Sequence, residues 1–249
     1  MAISRYFDNS NLAERIHVSK GMMKGITSIN KFGSVPLMST NPGTGSVWDK
    51  SDTIYPWSAF NTPGILTVAT TIANGSAATD DDGKSIVIYG LDENFLPQVD
   101  TITVASGVGT GTKTFARVYR AYITNGDTNL NQWRVSRGGT EVLRITIGKA
   151  QTLMAIYTVP AGKTGYLIKG TASTQADGDA TVDMFVRYGG TGAFRIGHSA
   201  EVSGTGGQYS YEFTIPIELP EKTDIDVRAT VRTNNARVSS VFDIVLLDY

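Results

Sequence analysis

Residues 208–233 read QYSYEFTIPIELPEKTDIDVRATVRT. Tyr209, Tyr211, Phe213, Ile215 and Ile217 occupy every second position, with Ser210, Glu212, Thr214, Pro216 and Glu218 between them. Successive side chains of a strand point to opposite faces, so this alternation predicts a strand with one buried and one wet face. Pro220 ends it, and a second alternation sets Ile225, Val227, Ala229 and Val231 against Asp226, Arg228, Thr230 and Arg232. Two half-buried strands joined by a polar turn describe an antiparallel sheet lying on a core. On this reading Asp224 and Asp226 belong to the wet face.

The same grammar extends over most of the 249 residues. Strands are expected at 65–73, 85–90, 100–106, 113–124 and 132–136. The marked turns between them include Asp82-Gly83, Gly107 to Gly111 and Asn125-Gly126. Eight more are expected at 142–147, 153–159, 165–173, 180–188, 193–202, 209–217, 225–232 and 238–247. Eight short strands at regular spacing suit a jelly roll or related sandwich. Arg137-Gly138-Gly139 is the best internal boundary. The fold class is therefore all-β: an N-terminal arm (1–30), a first antiparallel β-sandwich (31–139) and a second, jelly-roll-like β-sandwich (140–249).

In the arm, Asn11 followed by Glu14 fits the cap of a short helix that places Leu12 and Ile16 on one side. Met22 and Met23 follow, between Gly21 and Gly25. Such a segment is either a frayed terminus or an arm that orders on a neighbouring subunit. In the second case Leu12, Ile16, Met22 and Met23 are the protein–protein contacts.

Composition narrows the chemistry. A formal net charge of −1 argues against a general grip on nucleic acid, which needs clustered cations to displace counterions. The absence of cysteine excludes disulfides, thiolate metal sites and cysteine nucleophiles. The N-terminus carries Arg5, Asp8, Glu14 and Arg15 in place of the apolar run of a signal peptide, and no window approaches the ~20 apolar residues of a membrane span. No membrane association is expected.

No catalytic constellation stands out. His17 and His198 are distant in sequence, and neither sits in a Ser or Asp arrangement. Asp80-Asp81-Asp82-Gly83 lacks the ligand pattern of a calcium loop and reads as a solvated turn. Asp224 and Asp226 would need a partner across a cleft to serve as a glycosidase pair. Trp48, Tyr55 and Trp57 form an aromatic set that fits either a carbohydrate-stacking platform or, more commonly for rings near turns, the closed end of a sandwich. The expectation is a protein that is not an enzyme and uses no metal or other cofactor.

Several segments, taken in order, resemble a group of virion structural proteins of tailed phages. They are Lys31-Phe32-Gly33 with Val47-Trp48-Asp49 and Tyr55-Pro56-Trp57; Val87 to Asp92, Asp100 to Val104 and Arg117 to Ala121; Gln151 to Tyr166; and Pro220 to Ile225. The resemblance covers residues 30 to 249 and implies a virion component without catalytic residues. Its expected partners are copies of itself, in a homo-oligomer such as a trimer, and other virion proteins such as the major capsid protein. Synthesis would be in the host cytoplasm. The expected place on the particle is the head, as capsid decoration or cement, head fibre or collar. A tail, neck or baseplate component and a carbohydrate-binding module are the alternatives.

Overall fold

A computed structural model of the chain describes residues 12–40, 43–50, 53–72, 75–175, 178–203, 206–232 and 236–249, with side chains from residue 16 onward. A short helix, α1 (Leu12–Ser19), leads into β1 (Ile26–Met38) and β2 (Thr44–Ser46). Then come β3 (Gly64–Thr71), β4 (Ser85–Leu91), β5 (Pro97–Thr103), β6 (Val108–Phe115), β7 (Arg117–Thr124), β8 (Gln132–Arg137) and β9 (Thr140–Ile145). The chain finishes with β10 (Ile156–Thr158), β11 (Lys163–Thr174), β12 (Ala180–Arg187), β13 (Arg195–Val202), β14 (Gln208–Leu219), β15 (Asp224–Val231) and β16 (Ala236–Asp248). Among the described residues every paired strand is antiparallel. The expected all-β class holds.

Four sheets form two sandwiches. In the larger, β1-β16-β11-β14 faces β10-β15-β12-β13. Counted in chain order from β1 and then β10 to β16, these are strands one to eight. One sheet then reads one-eight-three-six and the other two-seven-four-five. That order is a single long hairpin rolled up on itself, the jelly roll. The smaller sandwich sets β6-β3-β8-β9 against β5-β4-β7.

The two bodies do not follow one another along the chain. β2 and β10 lie end to end along the same edge of β15: Ser46 is opposite Arg228 and Ile156 opposite Asp226. Val47 N–H donates to Val227 O at 2.7 Å, Val227 N–H to Ala155 O at 3.2 Å, and Ala155 N–H to Val47 O at 2.9 Å. The second jelly-roll strand is thus interrupted between Val47 and Ala155, and the smaller sandwich is the interruption. Gly33 crosses this seam. A Cβ there would stand 2.3 Å from Ala155 N and 2.4 Å from Val47 O, so only glycine fits.

This connectivity corrects the sequence-derived boundaries. Residues 26–38 are not arm or first domain: β1 pairs with β16 from Ile26 opposite Leu247 to Val35 opposite Val238. Nor does the chain change body at Arg137-Gly138-Gly139. These residues form the tight turn between β8 and β9, where Gly138 and Gly139 take φ of +56° and +81°. Two successive left-handed residues are what a tight hairpin turn requires. The glycine cue reported a turn correctly, and the turn lies inside a sheet.

Each sandwich has its own core. In the jelly roll, Val182, Met184 and Val186 of β12 and Ile225, Val227, Ala229 and Val231 of β15 meet Val238, Phe242, Ile244 and Leu246 of β16. In the inserted sandwich Leu66, Ile86, Ile88, Ile102, Phe115 and Trp133 pack together, closed at one end by Trp48, Tyr55, Trp57 and Phe60. Burying a side chain of this size contributes roughly 1.5–3 kcal/mol, so either core gathers enough apolar surface to hold two sheets together.

Asp49 fastens the entry to the insertion. Its carboxylate accepts from Leu153 N–H at 2.6 Å and from Thr146 Oγ1 at 3.1 Å. Burial pushes this carboxyl up to about 7, against the downward pull of those two hydrogen bonds and of Arg144 and Lys149. An unfolded aspartate titrates near ~3.9. Between the two values the folded chain holds the proton more tightly, so this group makes stability fall as pH rises from about 4 to about 7 and adds no slope above that. Asp49→Asn keeps an acceptor for Leu153 and should remove this part of the slope. Urea midpoints of wild type and variant, compared at pH 5 and pH 8, check it; parallel changes in the two proteins would refute it.

Candidate assembly interface

Two neighbouring carboxylates of β15, Asp224 and Asp226, hold the sandwiches in place. Both are fully buried, contrary to the wet face expected for them. The reason is tertiary: the inserted sandwich covers the outer side of this sheet. Asp224 accepts from Arg117 of β7 through Nε at 2.8 Å and Nη2 at 3.1 Å. It also accepts from Arg187 of β12 at 2.9 and 2.6 Å and from Thr158 Oγ1 at 2.6 Å. Arg117 belongs to the insertion and Asp224 to the jelly roll, so this charge pair crosses between bodies. Asp226 takes the indole N–H of Trp57 at 3.0 Å and Arg228 Nε at 2.9 Å. Its burial raises the carboxyl's pKa, opposed by Arg228, Ser46 and Trp57. Aromatic faces shield the cations. Arg187 lies 4.5 Å from the Phe194 ring centre, Arg228 4.3 Å from Phe185, and Arg117 5.1 Å from Phe95.

This network settles the place of Trp48, Tyr55 and Trp57. All three are buried, at 1%, 2% and 7% exposure, and stack edge to face 5.1 and 5.0 Å apart. They close the sandwich end and leave no ring face for a sugar, which corrects the stacking-platform reading. The Asp80-Asp81-Asp82-Gly83 turn is likewise more than a solvated loop. Asp81 is fully buried and accepts from Leu130 N–H, Asn131 N–H, Trp133 Nε1 and Lys84 Nζ at 2.7–3.0 Å. Asp82 accepts from Ser106 and Gly107 N–H at 2.8 Å each. Among the described residues no group of three or more His, Asp or Glu is placed to hold a metal ion.

What faces outward is an open seam of the jelly roll. β14 ends one of its sheets and β13 ends the other. Between them His198 packs against Tyr209, Tyr211 and Phe213 at ring-centre distances of 5.8, 5.7 and 5.2 Å, with His198 Nε2 3.1 Å from Tyr209 Oη. The alternation of residues 209–217 is interrupted here. Leu167 pairs with Ile217 but Lys169 with Glu212, so four residues of β14 bulge opposite Ile168. Bulges on edge strands re-aim side chains and end regular pairing. Ile215 sits in this bulge at 84% exposure, the highest among the exposed large apolar residues described, and Tyr211 on β14 and Ile196 on β13 are exposed as well.

Of the arm residues, Ile16 and Met22 are exposed and Met23 is half-buried, its carbonyl accepting from Ile26 N–H at 3.2 Å. The side chain of Leu12 and all of residues 1–11 lie outside the described residues.

No protein-family model matches the chain, and no curated protein matches its sequence. Weak structural neighbours come from virus particles. Naturally occurring empty particles of cowpea mosaic virus align at 10% identity and TM-score 0.23 over 76% of this chain and 84% of theirs. The structure of infectious bursal disease virus Gx strain aligns at 12% identity and TM-score 0.25 over 90% and 72%. The VP2 subviral particle of infectious bursal disease virus gives 9% and 0.24 over 91% and 73%. Superpositions this loose do not establish a shared fold.

Replacing Asp224 tests the junction. Asp224→Asn leaves the buried Arg117 and the half-buried Arg187 without their counter-charge, a change that costs about 3–5 kcal/mol. In a chain of this size that is a fall in Tm of roughly 10 °C. Calorimetry should show the drop and a separation of the single transition into two as the bodies uncouple. A shift under about 2 °C would mean the pair does not hold the sandwiches together.

Proposed function

We propose that this chain is a non-enzymatic virion structural subunit, head-associated, that packs against copies of itself through the β13–β14 seam. The observation that carries the reading is Ile215, held out on a bulged edge strand beside unpaired main-chain groups. An exposed edge with an apolar knob is a template for association, which free monomers normally blunt with charge. Here the charges complement each other between the two strands. Glu212 and Glu218 are exposed on β14; on β13 Arg195 is exposed beside Ile196, while Glu201 at the far end of that strand is paired with Arg232. A two-fold contact of β14 with itself would oppose like charges, whereas β14 of one copy against β13 of the next pairs opposite ones. Such a head-to-tail contact makes a ring when the rotation between copies closes and a filament when it does not. The resemblance to phage virion proteins and the jelly-roll strand order, which recurs in viral shells and lectins, both support the reading.

Labelling purified particles with an antibody to this chain tests the location. Gold over the head at many copies per particle is expected; gold confined to the tail would overturn the head assignment. For the interface, Ile215→Asp should convert the oligomer to monomer in sedimentation velocity with an unchanged far-ultraviolet spectrum. A wild-type protein that sediments as a monomer, or a variant that still assembles, refutes the seam. The arm is tested by removing residues 1–24, which stops short of β1. The truncated protein should fold and oligomerise yet fail to join particles, and unimpaired incorporation would remove the anchoring role of Ile16, Met22 and Met23.

A further inference from the structure

A cleft of about 440 Å³ lies where β1 of the jelly roll meets β4 and β7 of the insertion, with Lys31, Tyr89, Tyr119, Arg120, Tyr122 and Gln151 in its wall. That is the size of ordinary small-ligand sites. Its polar groups are unusual. Lys31 is only 3% exposed, yet its ammonium donates to a neutral acceptor, the carbonyl of Tyr119. Arg120 Nη2 likewise donates to a carbonyl, that of Asn30, at 3.0 Å. Among the described residues neither cation has an ion pair. Asp243, on the strand beside β1, has one carboxylate oxygen taken by the side-chain amide of Asn30 at 2.5 Å. Buried cations are normally matched by a carboxylate, because desolvating an uncompensated charge is costly. Burial first, and the charge of the half-buried Arg120 second, push the Lys31 pKa down.

The rest of the wall is aromatic and hydroxylated. Tyr89 and Tyr122 stand 5.8 Å apart between ring centres with their hydroxyls 3.1 Å from each other. Tyr122 and Gln151 are exposed at the mouth. Phenol rings offer a flat apolar surface with a polar tip, and Gln151 adds a donor and an acceptor.

We propose that this cleft binds a carboxylated sugar of the hexuronic-acid class, its carboxylate received by Arg120 and Lys31 and its ring laid against Tyr89 and Tyr122. The missing counter-charge selects the anion, and the tyrosine pair selects a ring over a bare carboxylate. The site shares no residue with the β13–β14 seam, so it stands whether or not that seam assembles the protein.

Isothermal titration of the full chain with glucuronate, with glucose and with acetate tests it. Glucuronate should bind at least about tenfold more tightly than either control, the effect of one charge-assisted hydrogen bond or one stacked ring. A uronate oligosaccharide in a parallel titration distinguishes a free sugar from a chain: tighter binding of the oligomer per site marks a polysaccharide as the source, and equal binding marks the monosaccharide. Arg120→Gln and Tyr122→Ala should each weaken glucuronate about tenfold or more, while Tyr122→Phe, which keeps the ring, should weaken it less. Arg120 and Tyr122 are chosen because Lys31 is buried and its replacement risks the fold; circular dichroism of each variant verifies folding. Acetate binding as tight as glucuronate would reduce the site to a general anion hole. Equal binding of glucose, or no heat with glucuronate, would overturn the proposal.

Discussion

Two carboxylates on one strand, Asp224 and Asp226, are buried where two sandwiches meet, and the rest of the architecture is arranged to make that tolerable. Three arginines and an indole N–H converge on them, and aromatic rings cover the guanidiniums. A buried ion pair adds little net stability over a well-packed apolar contact, but breaking one is expensive. Its value lies in specificity. An apolar junction between two β bodies could slide, whereas Asp224, taken by two forked guanidinium groups, and Asp226, taken by the Trp57 indole N–H, fix both position and angle.

That constraint explains how an insertion can sit inside a strand. The chain leaves the jelly roll after Val47 and returns at Ala155, and the two ends hydrogen-bond to each other and to Val227. The returning ends therefore cost the parent sheet almost no pairing. Close spacing of the ends lets the insertion fold around its own core, and the Arg117–Asp224 pair then seats it on the outer face of β15. The cleft with Lys31 and Arg120 is a by-product of the same docking, since it exists only where β1 and β7 are brought together.

The jelly roll is open along β13 and β14 because nothing in the described chain caps those edges. Where β15 is covered by the insertion, Asp224 and Asp226 are buried against arginines and an indole N–H. Where β14 is uncovered, an apolar residue is exposed. Both departures from simple alternation have one cause: the alternation tells which residues share a face, and the neighbour on that face determines whether it is wet.

Local pattern was sufficient for the class of structure and most strand positions, because period-two alternation and glycine-marked turns act over a few residues. It served for the helix at Leu12–Ser19, and it would have served for β1, whose Ile29 and Val35 lie among polar neighbours. It misplaced the body boundary because a turn such as Arg137-Gly138-Gly139 has the same chemistry inside a sheet as between domains. Neither the junction of Arg117, Arg187 and Asp224 nor the cleft of Lys31 and Arg120 could be found from the order of residues in the chain. Arg117 and Asp224 are separated by 107 positions, and their charge is decisive only after burial removes water. The sequence alone determined that this protein would be built of antiparallel strands around apolar faces, since that follows from side-chain periodicity. Which body each strand joined, which carboxylates were buried and which apolar residue was left exposed were decided by tertiary packing, because burial depends on the distant segment that covers a face.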